Sequence, residues 1–247
     1  MGTNADSLPG TEPTPAKASL WEDFVDIFYA PSSVFARRAN GQWGMPLLFL
    51  VLAATVLFFL TKNAMQPIMD AEFARQSADA MRKNPNLTTE QLESGRKFFE
   101  TLGPVFFLVI LTISIIGTGL ILWLVGKLFD AKESVAAALM IAVYSEVPRV
   151  VQVLVQAAQA LFMSPESLNS QYSVTLSLAR FMDPDHTSRL VLGLASRVDV
   201  FTIWVTVLLA IGLHVVGKVS RQQAAIAAGI TWVIGGLPVI IGAAMQG

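Results

Sequence analysis

The sequence predicts an all-α, polytopic membrane helix bundle. It has five transmembrane helices, an N-terminal amphipathic helix and a helical extracytoplasmic loop. Three observations carry that reading. Hydrophobic residues make up 53% of the 247 and charged residues 14%, against about 25% charged in a soluble domain. Mean hydropathy is +0.57. Five apolar runs, separated by polar segments, are each long enough to cross a hydrocarbon core of roughly 30 Å at about 1.5 Å per residue.

Composition also excludes whole classes of function. A net charge of −1 lacks the basic patch a nucleic-acid binder needs. The absence of cysteine removes disulfides, thiolate metal sites and cysteine nucleophiles. No HExxH, G-x-S-x-G or P-loop pattern occurs, so the sequence points to no enzyme, no cofactor and no metal.

Residues 1–18 are polar and rich in Pro and Thr, without the apolar core of a signal peptide. They are expected to form a disordered cytoplasmic tail. Residues 19–42 form an amphipathic juxtamembrane segment. Leu20, Trp21, Phe24, Val25 and Phe28 fall on one helical face, with Glu22, Asp23 and Asp26 away from it. Ser19 and Glu22 have capping-box spacing and Pro31 ends the helix. It is expected to lie on the membrane surface or on the underside of the bundle, with Trp21, Phe24 and Phe28 as its packing or partner surface.

The first span covers residues 43–65, with Trp43 at the interface and Arg37 and Arg38 before it. Residues 66–102 form a polar outer loop with two helical patterns broken at Asn84-Pro85-Asn86; Thr88 and Gln91 have capping-box spacing. The second span covers residues 103–129, and its Ser114, Gly117, Thr118 and Gly119 form a small-residue patch for close helix approach. The second outer loop, residues 163–198, holds Asp183, Asp185 and His186, which read as an Asp cap before a helix near Thr187–Arg197 rather than as metal ligands. The fourth span covers residues 199–219 and includes His214 near its cytoplasmic end, read as a packed or hydrogen-bonded residue. The fifth covers residues 224–245, with Ala224, Ala228, Gly235 and Gly236 for tight contacts and a kink at Pro238.

The third span, residues 134–162, stands apart. It carries Glu146 and Arg149 around Pro148, then Gln152, Gln156 and Gln159. At 3.6 residues per turn these five polar residues share one face. A charge near the bilayer centre costs about 2.5–3.5 kcal/mol, so the stripe is expected to face protein or a wet cavity. Two readings stay open: a structural ion pair bracing the bundle, or a polar pathway. Pro148 has no N–H, so the Tyr144 carbonyl loses its helical partner and a kink is expected there.

Basic residues orient the bundle. The short links after spans two and four carry Lys127, Lys132, Lys218 and Arg221 against Asp130 and Glu133. The positive-inside rule makes these links cytoplasmic, with the N-terminus inside and the C-terminus outside. The absence of cysteine leans toward a bacterial cytoplasmic membrane. An internal repeat is also legible. Val125-Gly126-Lys127 matches Val216-Gly217-Lys218, and, one residue out of step, Ala137, Ala138, Val143 and Pro148 match Ala227, Ala228, Val233 and Pro238. Where the first copy has Ser145-Glu146, the second has Gly235-Gly236, a place for the charges of one helix to meet the backbone of the other.

Several short motifs resemble one family. They are the amphipathic start from Trp21 to Pro31, Ala142-Val143-Tyr144-Ser145 followed by Pro148, Asp199-Val200-Phe201-Thr202-Ile203-Trp204, Gly217-Lys218 and Ala224-Ala225. Across residues 19–244 the chain resembles bacterial-type members of the Yip1 domain family. The resemblance implies five helical spans and a cytoplasmic N-terminus. Eukaryotic Yip1-like proteins bind prenylated small GTPases and carry an Asp-Leu-Tyr-Gly-Pro motif. The nearest match here, Asp26-Ile27-Phe28-Tyr29-Ala30-Pro31, differs in spacing and has no glycine. The expected function is a non-enzymatic membrane scaffold or adaptor, with lipids and a protein partner of the N-terminal helix as its contacts. The alternative is a transporter or channel for a small polar solute, ion or lipid using the stripe of the third span.

Overall fold

The computed structural model describes residues 19–246, with side chains to Ala243; the expected tail at residues 1–18 lies outside the described residues. Two short helices, α1 (Leu20–Asp26) and α2 (Pro31–Arg37), form a hairpin. Two long helices follow, α3 (Gly44–Lys83) and α4 (Thr89–Lys127). Then come α5 (Val135–Ser145), α6 (Pro148–Phe162), the short α7 (Arg189–Arg197), α8 (Val200–Gly217) and α9 (Arg221–Gln246). Five helical spans are long and apolar enough to cross a membrane: α3, α4, α5 with α6, α8 and α9.

Local chemistry sets the helix starts. The Ser19 hydroxyl accepts from the Glu22 N–H at 3.3 Å, and the Glu22 carboxylate accepts from the Ser19 N–H at 2.6 Å. Thr88 with Gln91 and Ser220 with Gln223 build the same reciprocal box at α4 and α9. Asp199 caps α8. The helix in the loop at residues 163–198 is capped by Ser188 rather than by an aspartate, so it begins at Arg189.

The structure departs from the expected first loop. Residues 66–102 are not a separate hairpin: α3 and α4 continue through Pro67 and Pro104 and carry it on their ends. Forty residues of α3 reach about 60 Å, twice the hydrocarbon thickness. Long-range contacts sustain the extension. Ile68 is buried with Ala160, Leu168 and Val174. Asp70 pairs with Arg96 of α4 at 2.6 Å, and Arg75 with Asp185 of the loop between α6 and α7 at 2.8 Å. Charge signals an exit from the membrane, but it does not end a helix whose charges find partners.

Helix α5 is the centre. Every residue from Ala137 to Ser145 is buried, enclosed by α3, α4 and α8. Gly119 of α4 lets the backbones meet: a Cβ there would stand 2.9 Å from the Cα of Leu139. Gly117, two residues earlier, faces open space. Gly41, at φ +82°, turns the chain beneath α5, and a Cβ there would lie 2.8 Å from the Ala136 backbone.

The α1–α2 hairpin does not lie across the end of the bundle. Phe28, at its tip, meets Trp204 with ring centroids 5.5 Å apart, and Trp204 is in the second turn of α8. Trp204 is thirteen residues, or about 20 Å, from the other end of α8 at Gly217. The hairpin therefore stands against the side of the bundle.

The two hairpins of the proposed repeat share one feature. The Glu133 carboxylate lies between their matched glycines: a Cβ on Gly126 would meet one oxygen at 2.5 Å, and a Cβ on Gly217 the other at 2.9 Å. Glu133 is 3% exposed, and neither carboxylate oxygen has a hydrogen-bond partner among the described residues. Lys127 is 3.8 Å away. Burial pushes the Glu133 carboxyl above the ordinary glutamate range, against the pull of Lys127. A group whose pKa rises on folding gives its full contribution at low pH and loses it as pH climbs through the raised value. Glu133→Gln is therefore expected to raise the unfolding temperature at neutral pH. The gain should vanish as pH falls into the ordinary glutamate range, where the wild type is protonated too. A gain that does not change with pH would contradict the burial argument.

Candidate functional site

The third span is broken rather than kinked. Pro148 occupies the first turn of α6, and Glu146 and Val147 form a tight turn after α5. The Tyr144 carbonyl, deprived by Pro148 of its usual donor, accepts from the Val147 N–H at 3.3 Å. The break carries α6 onto α3, whereas α5 packs against α4. A crevice opens between α3, α4 and α6, lined by Leu50, Leu57, Phe107, Leu111 and the polar residues of the break.

The stripe residues divide here. Glu146, 9% exposed, pairs with Arg149. Arg149 Nη1 also donates to Gln152 Oε1 at 3.1 Å. Gln156 lines the crevice. Gln159 is a loop anchor: its Nε2 donates to the Val174 carbonyl at 2.9 Å and its Oε1 accepts from Arg180.

Depth follows from the helix rise. The Lys132 N–H donates to the Gly217 carbonyl at 2.8 Å, which levels the start of α5 with the end of α8. Helix α5 rises about 16 Å over its eleven residues from Val135 to Ser145, and Glu146 and Arg149 follow at its far end. Asp199, at the far end of the 18-residue α8, is about 27 Å from Gly217. The Glu146–Arg149–Gln152 cluster thus lies in the half of the span remote from the α4–α5 and α8–α9 links, close to the level of Asp199.

Two cavities meet at that cluster. The crevice, about 210 Å³, is almost wholly apolar apart from the stripe. The second, about 320 Å³, lies between α6, α8, α9 and the chain at residues 171–177, and is lined by Gln171, Thr175, Ser177, Asp199 and Thr202. Arg149 and Gln152 line both. The second cavity shares Gln171, Tyr172 and Val239 with a larger recess of about 610 Å³ beside α7 and the ends of α3 and α9 remote from the α4–α5 and α8–α9 links, where Glu72, Arg75, Asp79 and Arg189 gather. Pro238, inside the unbroken α9, lines that recess.

Two glycines had marked α9 as the place where the stripe charges would meet backbone, but Arg197 fills that role. Its Nε is 3.0 Å from where a Cβ on Gly236 would be, its Nη2 donates to the Trp232 carbonyl at 2.7 Å, and its guanidinium lies 5.4 Å from the Trp232 ring. Burial, and then the Arg149 charge, lower its pKa; Glu146 opposes them.

The N-terminal helix turns a different face inward than its periodicity suggests. Asp23 is fully buried and bonds Arg37 at 2.7 Å, Arg38 at 2.6 Å and the Tyr144 hydroxyl at 3.3 Å. Ile27 is buried beside it, while Trp21, Val25 and Tyr29 point outward. Phe24 packs on Tyr144 and Phe49. The sequence signal was available: an acidic helix, a proline turn, then two adjacent arginines.

The remaining candidates also have partners. Asp185 pairs with the distant Arg75, and His186 Nδ1 is 2.7 Å from Asp183. His214 Nδ1 donates to the Val219 carbonyl at 2.7 Å.

A bundle with five membrane-spanning helices, a clamped amphipathic hairpin and a polar break in its central span defines a polytopic α-helical membrane protein. The model of the Yip1 domain matches residues 25–242, and the chain belongs to that family. No curated protein and no solved structure matches it.

Proposed function

We propose that this Yip1-domain protein is a non-enzymatic carrier in a bacterial cytoplasmic membrane. It admits a small polar solute or lipid headgroup from the outer face to Arg149 and Gln152. One observation carries the reading: a polar cavity and an apolar crevice meet at those two side chains. A polar group is thereby offered water, hydrogen bonds and charge on one side and a route toward lipid on the other. By the positive-inside rule, the basic links at Lys127, Lys132, Lys218 and Arg221 support an outer position for the cavity. In proteoliposomes, solute or lipid flux is expected for the wild type. It should be lost in Arg149→Gln and Glu146→Gln while both variants stay folded. No wild-type flux, with both substitutions lowering stability, would make the pair a structural brace.

A scaffold or adaptor is the second reading, favoured by the outward strip Trp21, Val25 and Tyr29 at helical spacing. Its partner would be a membrane-embedded helix rather than a cytoplasmic domain, because the hairpin stands along the bundle. A cross-linked partner lost on Trp21→Ala with Val25→Ala supports it, and an unchanged profile removes it.

A further inference from the structure

The polar cavity holds a second charge that no contact of the fold fully uses. Asp199 is 3% exposed. Its Oδ1 caps α8, accepting from the Phe201 N–H at 2.9 Å and the Thr202 N–H at 3.2 Å. Its Oδ2 is buried without a hydrogen-bond partner among the described residues. An orphaned carboxylate oxygen in a low-dielectric site is costly, and a donor that reaches it is bound strongly.

The cavity that Asp199 lines also presents Arg149. Arg149 spends Nε on Glu146 and Nη1 on Gln152. The two charged residues that line the cavity, one acid and one guanidinium, are of opposite sign. A bare cation would meet Arg149 and a bare anion would meet Asp199, so a ligand carrying both charges matches the lining. The volume of about 320 Å³ falls at the small end of the roughly 300–1,000 Å³ of small-ligand pockets. Tyr172 is the one aromatic among its lining residues, too few for the aromatic cage that holds a quaternary ammonium.

We propose that this cavity binds a zwitterion made of a primary ammonium close to a phosphate or carboxylate. The ammonium pairs with the Asp199 carboxylate, reaching its Oδ2 once the side chains that cover that oxygen give way, and the anion faces Arg149. The proposal rests on the carrier reading for its biological use but not for its test. The same chemistry comes from a lipid headgroup or from a free solute. The apolar crevice on the other side of Arg149 would take the acyl chains of a lipid and leave a free solute without contact.

The test measures binding to the full chain in detergent by native mass spectrometry, with three probes: dihexanoyl-phosphatidylethanolamine, dihexanoyl-phosphatidylcholine and glycerophosphoethanolamine. The ethanolamine lipid is expected to bind about tenfold more tightly than the choline lipid, because trimethylammonium has no N–H to give. Asp199→Asn retains the helix cap and replaces the free oxygen by a donor. It should erase the preference by weakening the ethanolamine probes and leaving choline binding unchanged. Asp199→Ser, which also caps, checks that the loss is not one of folding. Glycerophosphoethanolamine binding as well as the acylated probe identifies a free solute; a need for the chains identifies a lipid. Equal binding of ethanolamine and choline probes by the wild type overturns the proposal, as does a preference that survives both variants. Absent flux with the headgroup preference intact would defeat the carrier reading alone.

Discussion

Asp23→Ala is expected to lower the unfolding temperature of the purified protein by about 10 °C. Asp23 is fully buried and receives Arg37, Arg38 and the Tyr144 hydroxyl at once. Its loss takes the shared carboxylate from two guanidinium groups that are only 34% and 16% exposed. Removing one partner of a buried charge cluster costs about 3–5 kcal/mol. For a chain of this size each kcal/mol moves the midpoint by about 2–4 °C. Tyr144→Phe takes away one hydrogen bond of 3.3 Å and should cost about 1 kcal/mol. Thermal unfolding of the two single variants and the double variant checks the assignment. The double variant should lose little more than Asp23→Ala, because the hydroxyl acts through that carboxylate. An Asp23→Ala midpoint equal to that of the wild type would mean that the hairpin is held by its apolar contacts, Ile27, Val34 and Phe35.

Gly119→Val is the second large effect. A Cβ at Gly119 already comes within 2.9 Å of the Leu139 Cα. The obstacle is backbone at the centre of the bundle, so no rotamer change relieves it. Overpacking of this kind costs about 1–3 kcal/mol and sometimes more. The neighbouring Gly117→Ala is the control. Nothing lies within 4 Å of its added Cβ, and replacing glycine in a helix interior by alanine gains up to about 1 kcal/mol in water. Opposite signs two residues apart, read by thermal unfolding in one detergent, are the expected result. Equal losses would place the α4–α5 contact elsewhere.

These two glycines also show what the sequence conceals. Spacing groups Gly117 and Gly119 in one small-residue patch, but only the packed bundle decides which one faces Leu139. The five spans were legible because a long apolar run has few alternatives in a membrane protein. The boxes at Ser19 and Thr88 were legible because a cap is chemistry within four residues. The outward run of α3 was not, since its support comes from Arg96, Asp185 and Ala160, far away in sequence. Amphipathic periodicity turned Asp23 to the solvent side, because periodicity assigns a charge before its partners are known. The stripe from Glu146 to Gln159 was visible as a face. That Gln159 serves a loop while Arg149 borders two cavities depends on the break at Pro148. Asp199 was legible as the start of a span; the oxygen it leaves without a donor is a property of three-dimensional packing.

As a carrier, the protein would hold a recess open from the outer face to the stripe. The chain has no cysteine, so a single introduced one reports alone. Gln152→Cys, in cells or sealed vesicles, should react with a membrane-impermeant thiol reagent applied from the outer side and not from the cytoplasmic side. Ala142→Cys, at a fully buried position of α5, should react from neither. Protection of Gln152→Cys from the outer side, or labelling only from the cytoplasmic side, would contradict the account.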